Sequence, residues 1–298
     1  MTTALLVPCF NATRFLPRLR AQVDRLAPAF DEVLLADDCS RDATVAEAEA
    51  LGFQVLRLPE NLGPGGARNA LARACTAEWI HFHDVDDEIA PDYLAQVSAA
   101  AGACDVVLHF VEFIDEETRS LQVRWLPDAA ALAADPAATL LRSPLPTMSS
   151  FLRRSTFLST GGFNEELRCF EDGDLHLRLG TGGARLVVVP AVLEWSLRHG
   201  HGAGANQRYC YQCRLQFLEG YAAALPSRLH AAIALEAERA ATMLVRLDDL
   251  AGARRAVALA RRLGRRVPST ANPVVQALRP FLPATTLLRW QDRRRNRT

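Results

Sequence analysis

Glu78-Trp79-Ile80-His81-Phe82-His83-Asp84-Val85-Asp86-Asp87-Glu88 is the run from which the rest of the chain is read. Its first half is apolar and aromatic, the pattern of a buried strand. It then turns abruptly acidic, with Asp84, Asp86 and Asp87 crowded into four residues. Like charges this close repel unless something positive sits among them. A divalent cation meets that need, because hard cations take oxygen ligands. Asp84 and Asp86 lie two apart at a strand end, where open α/β sheets bind their ligands. One reading is therefore a metal and diphosphate site. The other is an acidic loop that caps a helix starting near Pro91. His81 and His83 alternate on one face of the strand and read as packing or hydrogen-bonding residues rather than as ligands.

Composition bounds the rest. The 298 residues suit one large domain, or a domain with a helical extension, and the 49% hydrophobic fraction is ample for a packed core. The formal net charge is zero, so the total gives no reason to expect a nucleic-acid partner. The opening Met1-Thr2-Thr3 has neither a basic nor an apolar leader region, and no apolar run is long enough to cross a bilayer. Seven scattered cysteines, an odd number, fit a reducing compartment better than a disulfide framework. The expected location is cytoplasmic.

Outward from the acidic run, strand and helix signals alternate. Ala4 to Phe10 is a short apolar run that ends at Asn11-Ala12-Thr13. Phe15, Leu19, Val23 and Leu26 then recur at helical spacing. Glu32 to Ala36 reads as a second buried strand and breaks at Asp37-Asp38-Cys39-Ser40; Phe53 to Leu58 reads as a third. Downstream, strands are expected over 105–110, near 151–152 and over 185–189. Helices are expected from Pro91 to about Ala101, over 129–141, and from the acidic start at Glu171-Asp172. This alternation argues for an α/β sheet built on crossovers.

Between the third strand and the acidic run lies Asn61-Leu62-Gly63-Pro64-Gly65-Gly66-Ala67-Arg68-Asn69. It does not fit the G-x-G-x-x-G fingerprint, and it follows the third strand rather than the first, so a dinucleotide reading is weak. What remains is a backbone that lets a ligand approach closely at Gly63, a helix N-terminus that favours anions, and Arg68 as a phosphate contact. A plain strand-to-helix turn is the competing reading.

Beyond about Gln207, Ala, Leu and Arg dominate and helical spacing takes over. The expected division is 1–206 and a helical extension over 207–298, with a hairpin turning at Asp248-Asp249. The last stretch joins Leu287-Leu288 to a run of arginines. It reads as a solvated end or as a contact with an anionic membrane surface.

Five of these segments, in order over about 170 residues, resemble a family 2 glycosyltransferase of the GT-A fold. They are Pro8 through Asn11, Asp37 through Ser40, the Gly-rich turn, Asp84 through Asp87, and Gly161-Gly162-Phe163 leading to Glu171-Asp172. The resemblance implies a mixed sheet flanked by helices, followed by the helical extension. It implies a nucleotide-sugar donor bound by Pro8, Asn11, Asp37, Asp38, Gly63, Arg68, Asp84 and Val85. Asp38 is matched to recognition of the donor base. Asp84 and Asp86 match the DxD motif and would hold Mn²⁺ or Mg²⁺, with His199 as a further ligand and Asp87 in support. Asp172, with Glu171 beside it, matches the base that deprotonates the acceptor hydroxyl. The acceptor class implied is a glycan or a lipid-linked precursor of the cell envelope, at the inner face of the membrane. The anomeric outcome implied is inversion.

Two departures qualify the match. The Q-x-x-R-W signature of processive synthases is missing, because Tyr211-Gln212-Cys213-Arg214 lacks the tryptophan. A single sugar addition is therefore expected. Cys39 stands where the family often has glycine. Two other classes compete: a nucleotidyltransferase of similar fold, and a non-catalytic binding module. His199 and His201 with Cys210 and Cys213 offer zinc-like spacing, but a lone C-x-x-C is more often two thiols on one helix turn.

Overall fold

The computed structural model describes residues 1–198, 206–270 and 272–295. The chain forms two compact units, Met1–Gly202 and Ala203–Thr298. In the first, nine strands share one sheet: β1 (Thr3–Cys9), β2 (Glu32–Asp37), β3 (Gln54–Arg57), β4 (Trp79–Phe82), β5 (Glu88–Ile89), β6 (Val106–Asp115), β7 (Leu121–Trp125), β8 (Ser150–Arg153) and β9 (Leu186–Arg198). The order is β3-β2-β1-β4-β8-β6-β9-β5, with β7 paired to β6. The first four ordered strands are mutually parallel. β8 then runs antiparallel to both β4 and β6, so the sheet is mixed.

The helices of this unit are α1 (Leu16–Val23), α2 (Thr44–Ala50), α3 (Gly63–Ala74), α4 (Tyr93–Ala100), α5 (Ala129–Ala134), α6 (Pro136–Arg142), α7 (Arg154–Ser159) and α8 (Glu171–Thr181). They cover both faces, and the period-2 alternation of the strands decides which residue meets which helix. Leu5, Val7 and Trp79 join the core containing Leu16, Leu19 and Tyr93, on the α1 and α4 side. Leu6, Ile80 and Phe82 join Ala67, Leu71, Phe163 and Leu175, on the α3 and α8 side. At roughly 1.5–3 kcal/mol for each large apolar side chain buried, these two layers supply most of the drive to fold.

Three stretches differ from the sequence reading. The irregular region 116–143 contains β7, a hairpin partner of β6 whose Leu121 and Val123 are exposed. Leu121-Gln122-Val123-Arg124-Trp125 does alternate apolar and polar residues, a short strand signal that the sequence reading passed over. The strand expected over 185–189 continues through Pro190 to Arg198, its register against β6 shifting near His109 and Phe110. The helix expected over 129–141 is two helices, because Asp135 caps the second through the Ala138 N–H.

The second unit is helical: α9 (Gln207–Ala224), α10 (His230–Arg246), α11 (Leu250–Arg262), α12 (Pro273–Leu278) and α13 (Ala284–Arg295). α10 packs against α9, α11 and α13. The α10–α11 turn falls at Asp248-Asp249, where the spacing puts it, and Asp249 caps α11 through the Gly252 N–H. The described part of the tail lies in α13. Leu287 and Leu288 are buried, and Arg289 and Asp292 pair with Asp248 and Arg246.

Candidate active site

The acidic run ends on the carboxyl edge of the parallel strands. The Asp38 N–H donates to Cys9 O and the His83 N–H to Leu6 O, so the ends of β2, β1 and β4 lie side by side. Alternation along β4 then divides its neighbours. Phe82 faces α3, and Asp84, two residues on, reaches the α3 residue Arg68. The opposite parity sends His81 and His83 towards α4 and β9.

Arg68 is the hub. It is buried in the second turn of α3, where Asp84 Oδ1 accepts from one terminal nitrogen at 2.6 Å. Glu171 Oε1 accepts from the other at 3.0 Å, and the ring of Phe163 lies against the guanidinium. Sequence pointed Arg68 at a phosphate. Its observed partners are two carboxylates that approach from separate segments, and they hold its pKa up against burial. Burial opposes ionisation of Asp84, but the charge and hydrogen bond of Arg68 outweigh it and keep that carboxyl low.

The second side of the cluster is α8. Phe170 sits in the left-handed region at φ 72° and turns the chain into the helix, so Glu171 and Asp172 occupy its first turn. Asp172 Oδ1 accepts the Gly173 N–H at 2.7 Å. Burial, then the neighbouring charge of Glu171, raises the Asp172 carboxyl to about 7. Asp174, in the same turn, pairs with Arg178 at 2.6 Å.

The Gly161-Gly162-Phe163 turn fixes α8 relative to α3. Asn69 Oδ1 accepts the Phe163 N–H and its Nδ2 donates to Phe163 O. A Cβ on Gly162 would lie 2.4 Å from Asn69 Oδ1, and the residue has φ +68°, so only glycine fits without strain.

Asp38 faces the Gly-rich turn. Its two carboxylate oxygens accept the Leu62 and Gly63 N–H groups at 2.6 and 2.8 Å, which secures the start of α3. Burial raises its pKa, held back by those two donors and by Arg168. Arg168 was not singled out in the sequence. It is exposed and lies so close over Gly63 that a Cβ there would meet its guanidinium at 2.1 Å. Asp37 accepts the Ser40 N–H, and its Oδ1 is buried with no hydrogen-bond partner among the described residues. Asn11 ties the β1 end to the β2 loop by accepting the Arg41 N–H at 2.8 Å. Cys39 has φ +64°, a conformation that favours glycine, and its Sγ reaches Leu58 O. Pro8 is half-buried within β1, and Val85 is buried.

The remaining acids divide by burial. Asp86 is half-buried, and Arg18 donates to its backbone carbonyl. Asp87 is buried and accepts the Leu197 N–H at 2.8 Å, which fastens the loop to β9. Burial, with the charges of Asp84 and Asp86, pushes its pKa well up. Asp87 thus holds the acidic loop to the end of β9. His199 and His201 lie outside the described residues.

On the other side of the sheet, His81 Nε2 and His83 Nδ1 lie 2.8 and 2.7 Å from the same oxygen of Glu194. All three residues are fully buried. They form the one His/Cys/Asp/Glu group among the described residues close enough to share an ion. Their spacing is that of hydrogen bonds, so the group reads as a clamp between β4 and β9. Burial brings His81 down to about 4 and Glu194 up to about 7. Glu194 was missed, its only signal being a lone acid in an otherwise apolar strand.

A mixed sheet flanked by helices, with a carboxylate-rich carboxyl edge, is the α/β architecture of the GT-A kind. The sequence model of glycosyl transferase family 2 matches residues 4–161, and the chain belongs to that family. Among similar proteins is the succinoglycan biosynthesis protein ExoO of Rhizobium meliloti, 36% identical over 180 residues, 54% of this chain and 50% of that protein. Another is the poly(ribitol-phosphate) beta-N-acetylglucosaminyltransferase TarS of Staphylococcus aureus, 29% identical over 201 residues, 63% of this chain and 34% of that protein. The chain thus spans half or less of the length of these two relatives. Two solved structures share the fold. TarS 1–349 in complex with UDP-GlcNAc has a TM-score of 0.58 at 19% identity, covering 88% of this chain and 92% of the other. The mannosyltransferase PcManGT from Pyrobaculum calidifontis, in complex with GDP-Man and Mn2+, has a TM-score of 0.59 at 17% identity, covering 97% and 84%.

Proposed function

We propose that this protein transfers a single sugar from a nucleotide-sugar donor to an acceptor hydroxyl, with inversion, in the assembly of a cell-envelope polysaccharide or glycolipid. One observation carries the reading. Arg68 joins Asp84 to Glu171, so the acidic end of β4 and the acidic start of α8 converge on one place. Transfer needs this pairing of an acidic group for the leaving diphosphate with a base for the acceptor. Kinship with ExoO, named for succinoglycan biosynthesis, and with TarS, named as a poly(ribitol-phosphate) beta-N-acetylglucosaminyltransferase, supports the acceptor class.

The donor set fits a hard divalent cation. Asp86 and Asp84 offer carboxylate oxygens at a strand end, and Asp86 retains partial exposure. When bound there, such an ion would offset charge building on the departing nucleoside diphosphate. Arg168, exposed over Gly63, would meet a phosphate in place of the enclosed Arg68. Asp37 and Asp38 would border the nucleoside. Asp172, with a pKa of about 7, is poised to take the proton of the acceptor hydroxyl near neutral pH. A single displacement assisted by one base inverts the anomeric carbon.

A donor screen by thermal shift tests the reading. A sugar nucleotide with Mn²⁺, at about 100 times its Kd, should stabilise the chain by about 2.7 kcal/mol, and less without the metal. Turnover should release nucleoside diphosphate. Release of pyrophosphate from a nucleoside triphosphate would instead mean a nucleotidyltransferase. An Asp172→Asn variant with unchanged function would mean a binding module.

A further inference from the structure

The zero net charge of the chain conceals a division. Ala203–Thr298 holds 17 arginines and six acids, a formal charge of +11, and Met1–Gly202 carries the balancing −11. Within the helical unit the excess is focused. Arg261, Arg265, Arg266 and Arg279 line a pocket of about 320 Å³ with Gly264 and Val267. Arg265 is answered by Glu238, and Arg279 donates to Pro268 O. Arg279 Nε is buried with no hydrogen-bond partner among the described residues, while Arg261 and Arg266 are exposed. Arginines at the end of α11 also suit the helix dipole, worth about 0.3–1 kcal/mol each. That effect accounts for Arg261 and Arg262 but not for Arg279, which comes from another segment.

The segment that supplies Arg279 is also where the unit exposes large apolar side chains. Val274, Phe281 and Leu282 are exposed, and Phe281 at 79% is the most exposed large hydrophobic residue among those described. Apolar side chains beside clustered guanidinium groups match an anionic lipid surface, whose headgroups take the arginines while its acyl boundary takes the rings and aliphatics. The basic tail lacks this combination, because Leu287 and Leu288 are turned into the helical core.

We propose that the helical unit docks on an anionic lipid surface through the Arg261–Arg266–Arg279 pocket, with Phe281 and Leu282 as its apolar anchor. The inference rests on the envelope-synthesis reading only in supplying a reason for membrane contact, and its test needs no sugar nucleotide.

The full chain is sedimented with vesicles of phosphatidylcholine alone and of phosphatidylcholine with phosphatidylglycerol. Partitioning is expected only onto the second, weakening as salt rises. Arg261→Gln and Arg266→Gln should each weaken it about fivefold, and Phe281→Ser should also weaken it. All three positions are exposed, and a melting curve confirms that each variant is folded. Equal partitioning of parent and variants, or none onto anionic vesicles, overturns the proposal. So does a melting temperature raised by inorganic phosphate or pyrophosphate without vesicle binding, which would make the pocket a site for soluble anions. A failed donor screen leaves this result standing, and failed partitioning leaves the donor screen standing.

Discussion

Arg68 and Glu171 are joined by a hydrogen-bonded ion pair of 3.0 Å across 103 residues of chain, and the same guanidinium holds Asp84. The candidate active site exists as one place because of that side chain. Removing it would leave two carboxylates facing each other in a buried setting. Loss of one partner from a buried pair costs about 3–5 kcal/mol. Arg68→Ala should lower the unfolding free energy from urea titration by that amount and abolish donor binding. A loss under about 1 kcal/mol would show that the two acids do not depend on it.

Asp172 should set the acid limb of the activity profile. A base with a pKa of about 7 is protonated below that pH and cannot accept a proton, so kcat/KM should rise tenfold per pH unit towards 7 and level off above it. Asp172→Asn should lower kcat about 10²–10⁴-fold and leave donor binding in place. The stability effect has the opposite sign. Folding raises this carboxyl above its ordinary 3.8, so the folded chain holds more protons than the unfolded one between about pH 4 and 7. That contribution falls as pH rises through the window. The asparagine variant should therefore melt above the parent at pH 8, with the gap closing towards pH 4.

Asp86 and Asp87 are adjacent but should separate cleanly under mutation. Asp86→Ala, at a half-buried position, should shift the stability of the ligand-free chain by about 0.5 kcal/mol or less. It should also remove the Mn²⁺-dependent stabilisation by a sugar nucleotide, as a chelator should in the parent. Asp87→Ala strands the Leu197 N–H and should cost about 1–3 kcal/mol in the ligand-free chain, whereas Asp87→Asn keeps the acceptor and should be tolerated. Calorimetry with and without Mn²⁺ distinguishes the two patterns.

Gly162→Ala places a Cβ against Asn69 and holds a non-glycine residue at positive φ. The expected cost is about 1–3 kcal/mol. Much of it should disappear in an Asn69→Ala background, because the clash is with the Asn69 side chain. Strictly additive losses in the double-mutant cycle would place the strain in the backbone alone.

Local signals made much of this legible beforehand. Apolar runs, the break at Asp37-Asp38, the glycines at 63–66 and the acids at 84–87 are each readable within a few residues, because strand period, turn chemistry and charge crowding are local properties. β7 carried only a five-residue alternation, Leu121 to Trp125, too short to stand out in an irregular stretch, and its apolar side chains Leu121 and Val123 stay exposed. The Arg68 bridge, Arg168 over Gly63, and Glu194 between His81 and His83 were also out of reach. Each depends on which segment crosses which at the sheet edge.

The amino-acid order by itself fixed the kind of fold and the residue types gathered for chemistry, since both follow from short-range patterning. Folding decided the assignments: Arg68 to carboxylates, Asp38 to the turn amides, Asp87 to a β9 amide, and the tail leucines to the helical core. A buried polar group must bond to whatever packing brings beside it, and that neighbour comes from a segment far along the chain.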